Sequence, residues 1–142
     1  MTPAAILEAA LYAEDLDAAE DFYTRVMGME RIARVEGRHV FFRCGSGVLL
    51  VFDPAATTTP PPPDAKLPVP PHGARGEGHM CFSATAAEIE SWKAHLLAHG
   101  VEIEADFEWP AREGEPAGGR SIYFRDPAGN SLEFAEPRIW GF

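Results

Sequence analysis

The chain is poor in cysteine, with only Cys44 and Cys81 among 142 residues. Two cysteines exclude a disulfide-braced scaffold and a zinc site built from thiolates alone. Cys81 sits in an apolar run and reads as a buried small hydrophobe, while Cys44 beside a turn reads as partly exposed. Neither is assigned a role. Basic residues are also scarce: 12 Lys and Arg stand against 22 Asp and Glu, for a formal charge of -10 and a pI near 4.8. Such a surface repels phosphate backbones, so nucleic acid is not an expected partner. No apolar run is long enough to cross a bilayer, so no membrane is expected either. Residues 1–5 lack both a basic segment and a long apolar stretch, so they do not read as a secretory signal. The expectation is a cytoplasmic protein.

What is present is a core's worth of apolar side chains, 46% of the total, and a pattern that occurs twice. The run Ile6-Leu7-Glu8-Ala9-Ala10-Leu11-Tyr12-Ala13 is strand-length and apolar except for Glu8. Asp15-Leu16-Asp17 offers helix caps, and Asp17 with Glu20 reads as a capping box opening a helix. Leu16, Ala19, Phe22, Tyr23 and Val26 recur at helical spacing, and Gly28 stops the helix. A strand from Met29 to Val35 follows. A hairpin comes next, His39 to Cys44 and Val48 to Phe52 around Gly45-Ser46-Gly47. From Gly78 the sequence starts again. His79 to Ala84 is a strand, and Thr85 with Glu88 is a capping box. Ile89, Trp92, Leu96 and Leu97 form a helix face, and Gly100 ends it. Val101 to Ala105 reads as a strand. Ser121 to Arg125 and Ser131 to Ala135 form a hairpin around Asp126-Pro127-Ala128-Gly129-Asn130.

Strand, helix, strand, strand, strand therefore appears in tandem. Laid over each other without a gap, residues 41–52 and 123–134 set Leu50 against Leu132 and Val51 against Glu133. The first strands set Glu8 against His79. The expected fold class is α+β, two tandem βαβββ modules forming a curved mixed-sheet cleft. The expected divisions are 1–53 for the first module, 54–76 for a linker and 77–142 for the second. The linker holds Pro60 to Pro63, Pro68, Pro70 and Pro71. Prolines remove amide donors and disfavour helix and ladder. The tail, Pro137 to Phe142, ends in large apolar residues that could cover a partner or dock on the parent domain.

Glu8, His79 and Glu133 are ionisable groups inside apolar strands. A buried charge needs a partner, and one cation would serve all three. Strands alternate faces, so a lone Glu or His usually just faces solvent. Matched positions in a duplicated pattern are harder to explain in that way.

The chain resembles the vicinal oxygen chelate superfamily, which includes glyoxalase I, fosfomycin-resistance enzymes, extradiol dioxygenases and bleomycin-resistance proteins. The resemblance is carried by residues 6–16, by Phe22-Tyr23 and Val26-Met27-Gly28-Met29, by residues 78–82, and by residues 123–134 with their Asp-Pro-Ala-Gly-Asn turn. It implies metal ligands on the first and last strands of each module, here Glu8, Val51, His79 and Glu133. Val51 cannot bind a metal. The implied site therefore has three ligands and departs from the four of glyoxalase I. Extradiol dioxygenases and fosfomycin enzymes begin with His where this chain has Glu8. The resemblance also implies a homodimer.

Two carboxylates and an imidazole suit Zn, Ni, Mn, Fe(II) or Mg. Three protein ligands leave positions open for substrate oxygens, the pattern of a catalytic site. The expected function is a divalent-metal-dependent lyase, isomerase, dioxygenase or thiol transferase acting on a small oxygenated molecule. Glu8, Glu133 or the glycine-flanked His72 would serve as general base, and Tyr123, Trp109 and Arg38 as pocket lining. The competing readings are a metal-free protein that sequesters a small ligand, as bleomycin-resistance proteins do, and a vestigial site kept for packing.

Overall fold

The computed structural model describes residues 1–111, 113–114 and 118–141. The chain divides into two compact units, Met1–Gly78 and His79–Phe142. Each holds one four-stranded mixed sheet.

In the first unit the elements are β1 (Glu8–Tyr12), α1 (Leu16–Asp21), β2 (Glu30–Val35), β3 (His39–Cys44), β4 (Gly47–Phe52) and the short α2 (Pro54–Thr57). The sheet order is β1-β4-β3-β2, with β1 parallel to β4 and the other pairs antiparallel. Of the caps the sequence offers, Asp15 is the one used, accepting from the Ala18 amide, and the Asp17–Glu20 box does not form. Asp17 and Glu20 are occupied instead by the Arg34 guanidinium. The helix expected to run to Val26 widens at Phe22–Val26, where the Met27 amide reaches back to the Phe22 carbonyl. This turn buries Phe22, Tyr23, Val26 and Met27. Gly28 then takes φ +68°, a left-handed conformation that suits glycine at a helix end. The core lies between α1 and one face of the sheet, where Val40, Phe42, Leu49 and Val51 are almost wholly buried.

In the second unit β5 (His79–Ser83) leads to α3 (Ala86–Ala98), β6 (Ala105–Glu108), β7 (Arg120–Arg125) and β8 (Ser131–Ala135). The sheet order is β5-β8-β7-β6, the counterpart of the first. Thr85 and Glu88 form the reciprocal capping box that the sequence indicated. The strand read as Val101 to Ala105 begins only at Ala105. Ile89, Leu96, Phe82, Ile122, Phe124, Leu132 and Phe134 make the core, and Trp92 stacks on Phe134. Leu97, read as part of the helix's apolar face, is half exposed. The tail forms a short turn, Pro137–Trp140, with Trp140 exposed. Phe142 lies outside the described residues.

The gapless overlay of the two hairpins is wrong by one residue. In the first hairpin Phe41 pairs with Leu50 and Arg43 with Val48. In the second, Tyr123 pairs with Glu133 and Arg125 with Ser131. The Asp126 turn is one residue longer, closed by Asp126 accepting from the Ala128 and Asn130 amides. Leu50 is therefore the counterpart of Glu133. A slip of one residue in a strand exchanges its faces. Val51 faces the core, fully buried, while Leu50 lies on the other face.

Segment 54–76 does more than span a distance. It contains α2, it folds back on itself through the His72 amide on the Thr57 carbonyl, and its His72 ring meets the Tyr12 hydroxyl of β1.

An ion-pair group fastens β6 to β7 and α3. Asp106 takes Arg120 through Nε at 2.7 Å and Lys93 at 2.5 Å, and Arg120 also meets Glu90. These partners, Arg120 first and then Lys93, pull the Asp106 carboxyl from 3.8 to about 2. A depressed folded-state pKa stabilises the fold above the unfolded value and is lost as pH falls through the folded one. Urea midpoints of the wild type should therefore fall between pH 4 and pH 2 more steeply than those of Asp106→Asn. Parallel pH profiles for the two proteins would show that Asp106 contributes nothing in this window.

Candidate functional site

In the second unit β5, β8 and β7 lie side by side, and Cys81, Glu133 and Tyr123 occupy one rung across them. Residues of one rung share a face, and His79, two residues before Cys81, shares it too. Leu132 and Phe134 point to the core, so Glu133 between them is on the opposite face. It is nonetheless only 4% exposed. Its Oε1 is buried without a hydrogen bond.

His79 carries the sharper signal. Its Nδ1 lies 3.1 Å from the Ser131 carbonyl. A carbonyl only accepts, so Nδ1 bears the hydrogen. In the neutral ring Nε2 then presents a lone pair, and it faces Glu133 Oε2 at 3.4 Å. Two lone-pair atoms at that distance are held together by a proton or a cation between them. A backbone carbonyl fixing the far nitrogen of an imidazole is also the support that metal-ligating histidines use. The donor set thus fits a divalent ion.

The two neighbours of Glu133 on its rung are both shifted toward their protonated forms. Burial, and then Glu133 beside it, pushes the Tyr123 hydroxyl up to about 12. Burial, and then the charge of Glu133, pushes the Cys81 thiol up to about 12. Both shifts favour the protonated forms. Cys81 as a whole is exposed and only its sulfur is partly covered, not buried in the core as its apolar run suggested, because it falls on the Glu133 face of an edge strand. Tyr123 stacks on Phe107 and on His79, and Phe107 meets Trp109. Trp109 is anchored by its indole N–H on Ser121.

In the first unit Glu8 opens β1 and is exposed on one wall of a cavity of about 670 Å³. Phe41, Leu50 and Phe52 line the sheet side, Arg38 and His39 the rim of β3, and residues 59–72 the far side. His72 is fixed there. Its Nδ1 is 2.8 Å from the Tyr12 hydroxyl, and its ring meets the edge of Phe52 at 4.6 Å. His72 and Glu8, both expected from the sequence, line this one cavity. His79 and Glu133 come together in the second unit. Among the described residues of each unit, no three His, Cys, Asp or Glu side chains gather into a metal cage.

Sequence reading passed over His39, Phe41 and Phe107. The alternation on β3 was the available signal. Val40 and Phe42 point one way, which leaves His39 and Phe41 sharing the other face, stacked at 4.0 Å.

A family model described as the Glyoxalase/Bleomycin resistance protein/Dioxygenase superfamily matches residues 5–134. The chain belongs to this superfamily. Among solved structures, a lactoylglutathione lyase from Agrobacterium tumefaciens is 46% identical, with all of both chains covered and a TM-score of 0.89. A glyoxalase/bleomycin resistance protein/dioxygenase from Nocardioides is 22% identical over 96% of this chain and 85% of its own, at TM-score 0.69. A virulence protein from Salmonella typhimurium is 24% identical over 96% and 98%, at TM-score 0.64. The last two share the glyoxalase-type fold and support nothing finer. No helix among the described residues is long and apolar enough to cross a membrane.

Proposed function

We propose that this superfamily member is a divalent-metal-dependent enzyme acting on a small oxygenated substrate, with Glu8, His79 and Glu133 as metal ligands. The observation that carries the reading is the pair His79 Nε2 and Glu133 Oε2, facing each other at 3.4 Å, with Glu133 Oε1 left without a donor. Among the lyase, isomerase, dioxygenase and thiol-transferase classes, the name of the 46% identical relative, a lactoylglutathione lyase, favours the lyase.

A bound divalent ion would act as a Lewis acid, stabilising negative charge that develops on substrate oxygens. The chain's own residues do the rest. Ser131 holds the His79 ring in one tautomer. Tyr123 and Cys81 flank Glu133 on the same rung of the sheet. His72 shares a hydrogen with Tyr12 through Nδ1, so Nε2 is the nitrogen left to exchange a proton with a ligand in the cavity. Glu8 and Glu133 are the other candidate bases. The reading includes a homodimer in the cytoplasm, the former tested by light scattering.

Metal analysis is the decisive experiment. Protein purified without added metal, and protein loaded with Zn, Ni, Mn, Fe(II) or Mg, should hold one divalent ion per site. Glu8→Ala, His79→Ala and Glu133→Ala should each weaken retention at least about a hundredfold. Folded protein that takes up no metal under any loading would overturn the proposal and leave the metal-free sequestering protein.

A further inference from the structure

We infer that the cavity of the first unit binds a small carboxylate with an apolar, ring-sized body, its head on Arg38 and its body on Phe41, Leu50 and Phe52. This names a substrate class for the enzyme proposed above, yet the binding itself uses the first unit alone and needs no metal.

Charge pairing points to Arg38. Among the described residues, Arg25, Arg31, Arg34, Arg43, Arg75, Arg120, Arg125 and Arg138 each have a carboxylate within 4.0 Å. Among the described residues Arg38 has none, although the chain is rich in acidic side chains. Its counterpart in the second unit is Arg120, since Phe42 matches Phe124 and the two carbonyls accept from Asp53 and Glu136 respectively. Arg120 is compensated by Asp106 and Glu90. The first unit has Arg34 where the second has Asp106 on the neighbouring strand, because Arg34 pairs with Val40 and Asp106 with Ile122. The acid that would satisfy Arg38 is replaced by a second cation.

Geometry supports the same ligand. Arg38 Nη1 donates to the Ala56 carbonyl at 3.0 Å, which fixes the guanidinium on the cavity wall. The Nε and Nη2 edge remains, and that edge is the fork that accepts a carboxylate through two parallel hydrogen bonds. Beside it on the wall, His39 Nδ1 is buried with no hydrogen-bond partner. The rest of the lining offers few polar groups. Phe41, Leu50, Phe52, Leu67 and Val69 are apolar, and the prolines of residues 60–62 bring no amide donor. A cavity of about 670 Å³ suits a small ligand. Aromatic walls with Glu8 nearby would also attract a cation, but Arg38 opposes one.

The test uses the whole protein after dialysis against EDTA, with phenylacetate as probe, followed by calorimetry and ligand-observed NMR. Phenylacetate should bind, and acetate, phenylacetamide and phenethylamine should each bind at least about tenfold more weakly, the worth of one charge-assisted contact. Arg38→Gln should weaken phenylacetate by about tenfold or more and leave phenylacetamide unchanged. Arg38→Lys, which keeps the charge and loses the fork, should fall between. Phenyl phosphate distinguishes an anion site in general from a carboxylate site, and equal or tighter binding of it would overturn the carboxylate assignment. Phenethylamine binding best, or phenylacetate binding unchanged in Arg38→Gln with its fold confirmed by circular dichroism, would overturn the inference. Because metal is absent throughout, these outcomes are independent of the metal analysis above.

Discussion

Replacing Glu133 by leucine should raise the melting temperature of the metal-free protein while abolishing metal retention. Glu133 is 4% exposed, and one of its oxygens has no hydrogen bond. A buried polar group without its partner costs about 1–3 kcal/mol. Leucine has a similar volume, and the duplicated fold already places leucine at the equivalent position, Leu50, on the same face of the first sheet. Removing the carboxylate should therefore stabilise the second unit by about 1–3 kcal/mol, a rise of several degrees. Glu133→Gln, which keeps one oxygen and adds a donor, should give a smaller change. Thermal melts in EDTA, followed by tryptophan fluorescence, measure this directly, since Trp92, Trp109 and Trp140 all lie in the second unit. A lower melting temperature for the leucine variant would mean that Glu133 is anchored by the fold itself and is not kept for a ligand. The trade of stability for a charged site is the usual cost of function.

The second large effect belongs to the core. Phe124 is fully buried on β7 and stacks on Phe134 at 5.5 Å, which in turn stacks on Trp92 of α3. Phe124→Ala removes the ring from the middle of this aromatic layer. Such truncations cost about 3–5 kcal/mol, from lost transfer energy and the cavity left behind. That is a large fraction of the stability of an ordinary domain. In urea the tryptophan transition of the second unit should move to a much lower midpoint with little change in slope. Phe124→Leu should lose far less, because leucine fills part of the space. A loss below about 1 kcal/mol for the alanine variant would show that the layer closes over the gap.

Most of the architecture was legible in the chain because the signals were local and repeated. Gly28, Gly100, the Thr85–Glu88 box and the two hairpin turns all mark boundaries by chemistry that acts within a few residues. The failures came where a partner distant in sequence decided the matter. Asp17 and Glu20 look like a capping box until Arg34, far along the chain, claims both. Cys81 looks like core until the pairing of β5 with β8 assigns it to the Glu133 face. The one-residue difference between the hairpins is invisible to an overlay, yet it moves Leu50 and Val51 to opposite faces. Of the candidate site, His79 and Glu133 stood out in the chain as ionisable residues in apolar strands, and the sheet register brings their side chains together. The support from Ser131 was not legible, since it comes from a backbone carbonyl. Nor was the want of a carboxylate beside Arg38 among the described residues, which depends on which residue its neighbour strand presents.

The wall of prolines over the first sheet has a thermodynamic consequence. A proline has little backbone freedom to lose on folding, so ordering such a segment is inexpensive in entropy. The His72 amide on Thr57 and the His72 ring on Tyr12 then suffice to hold it against the cavity. A ligand entering there meets a wall already in place and need not order a loose loop. Binding should accordingly be preorganised. Its heat-capacity change should match the apolar area of the ligand alone, with no added contribution from a segment folding around it.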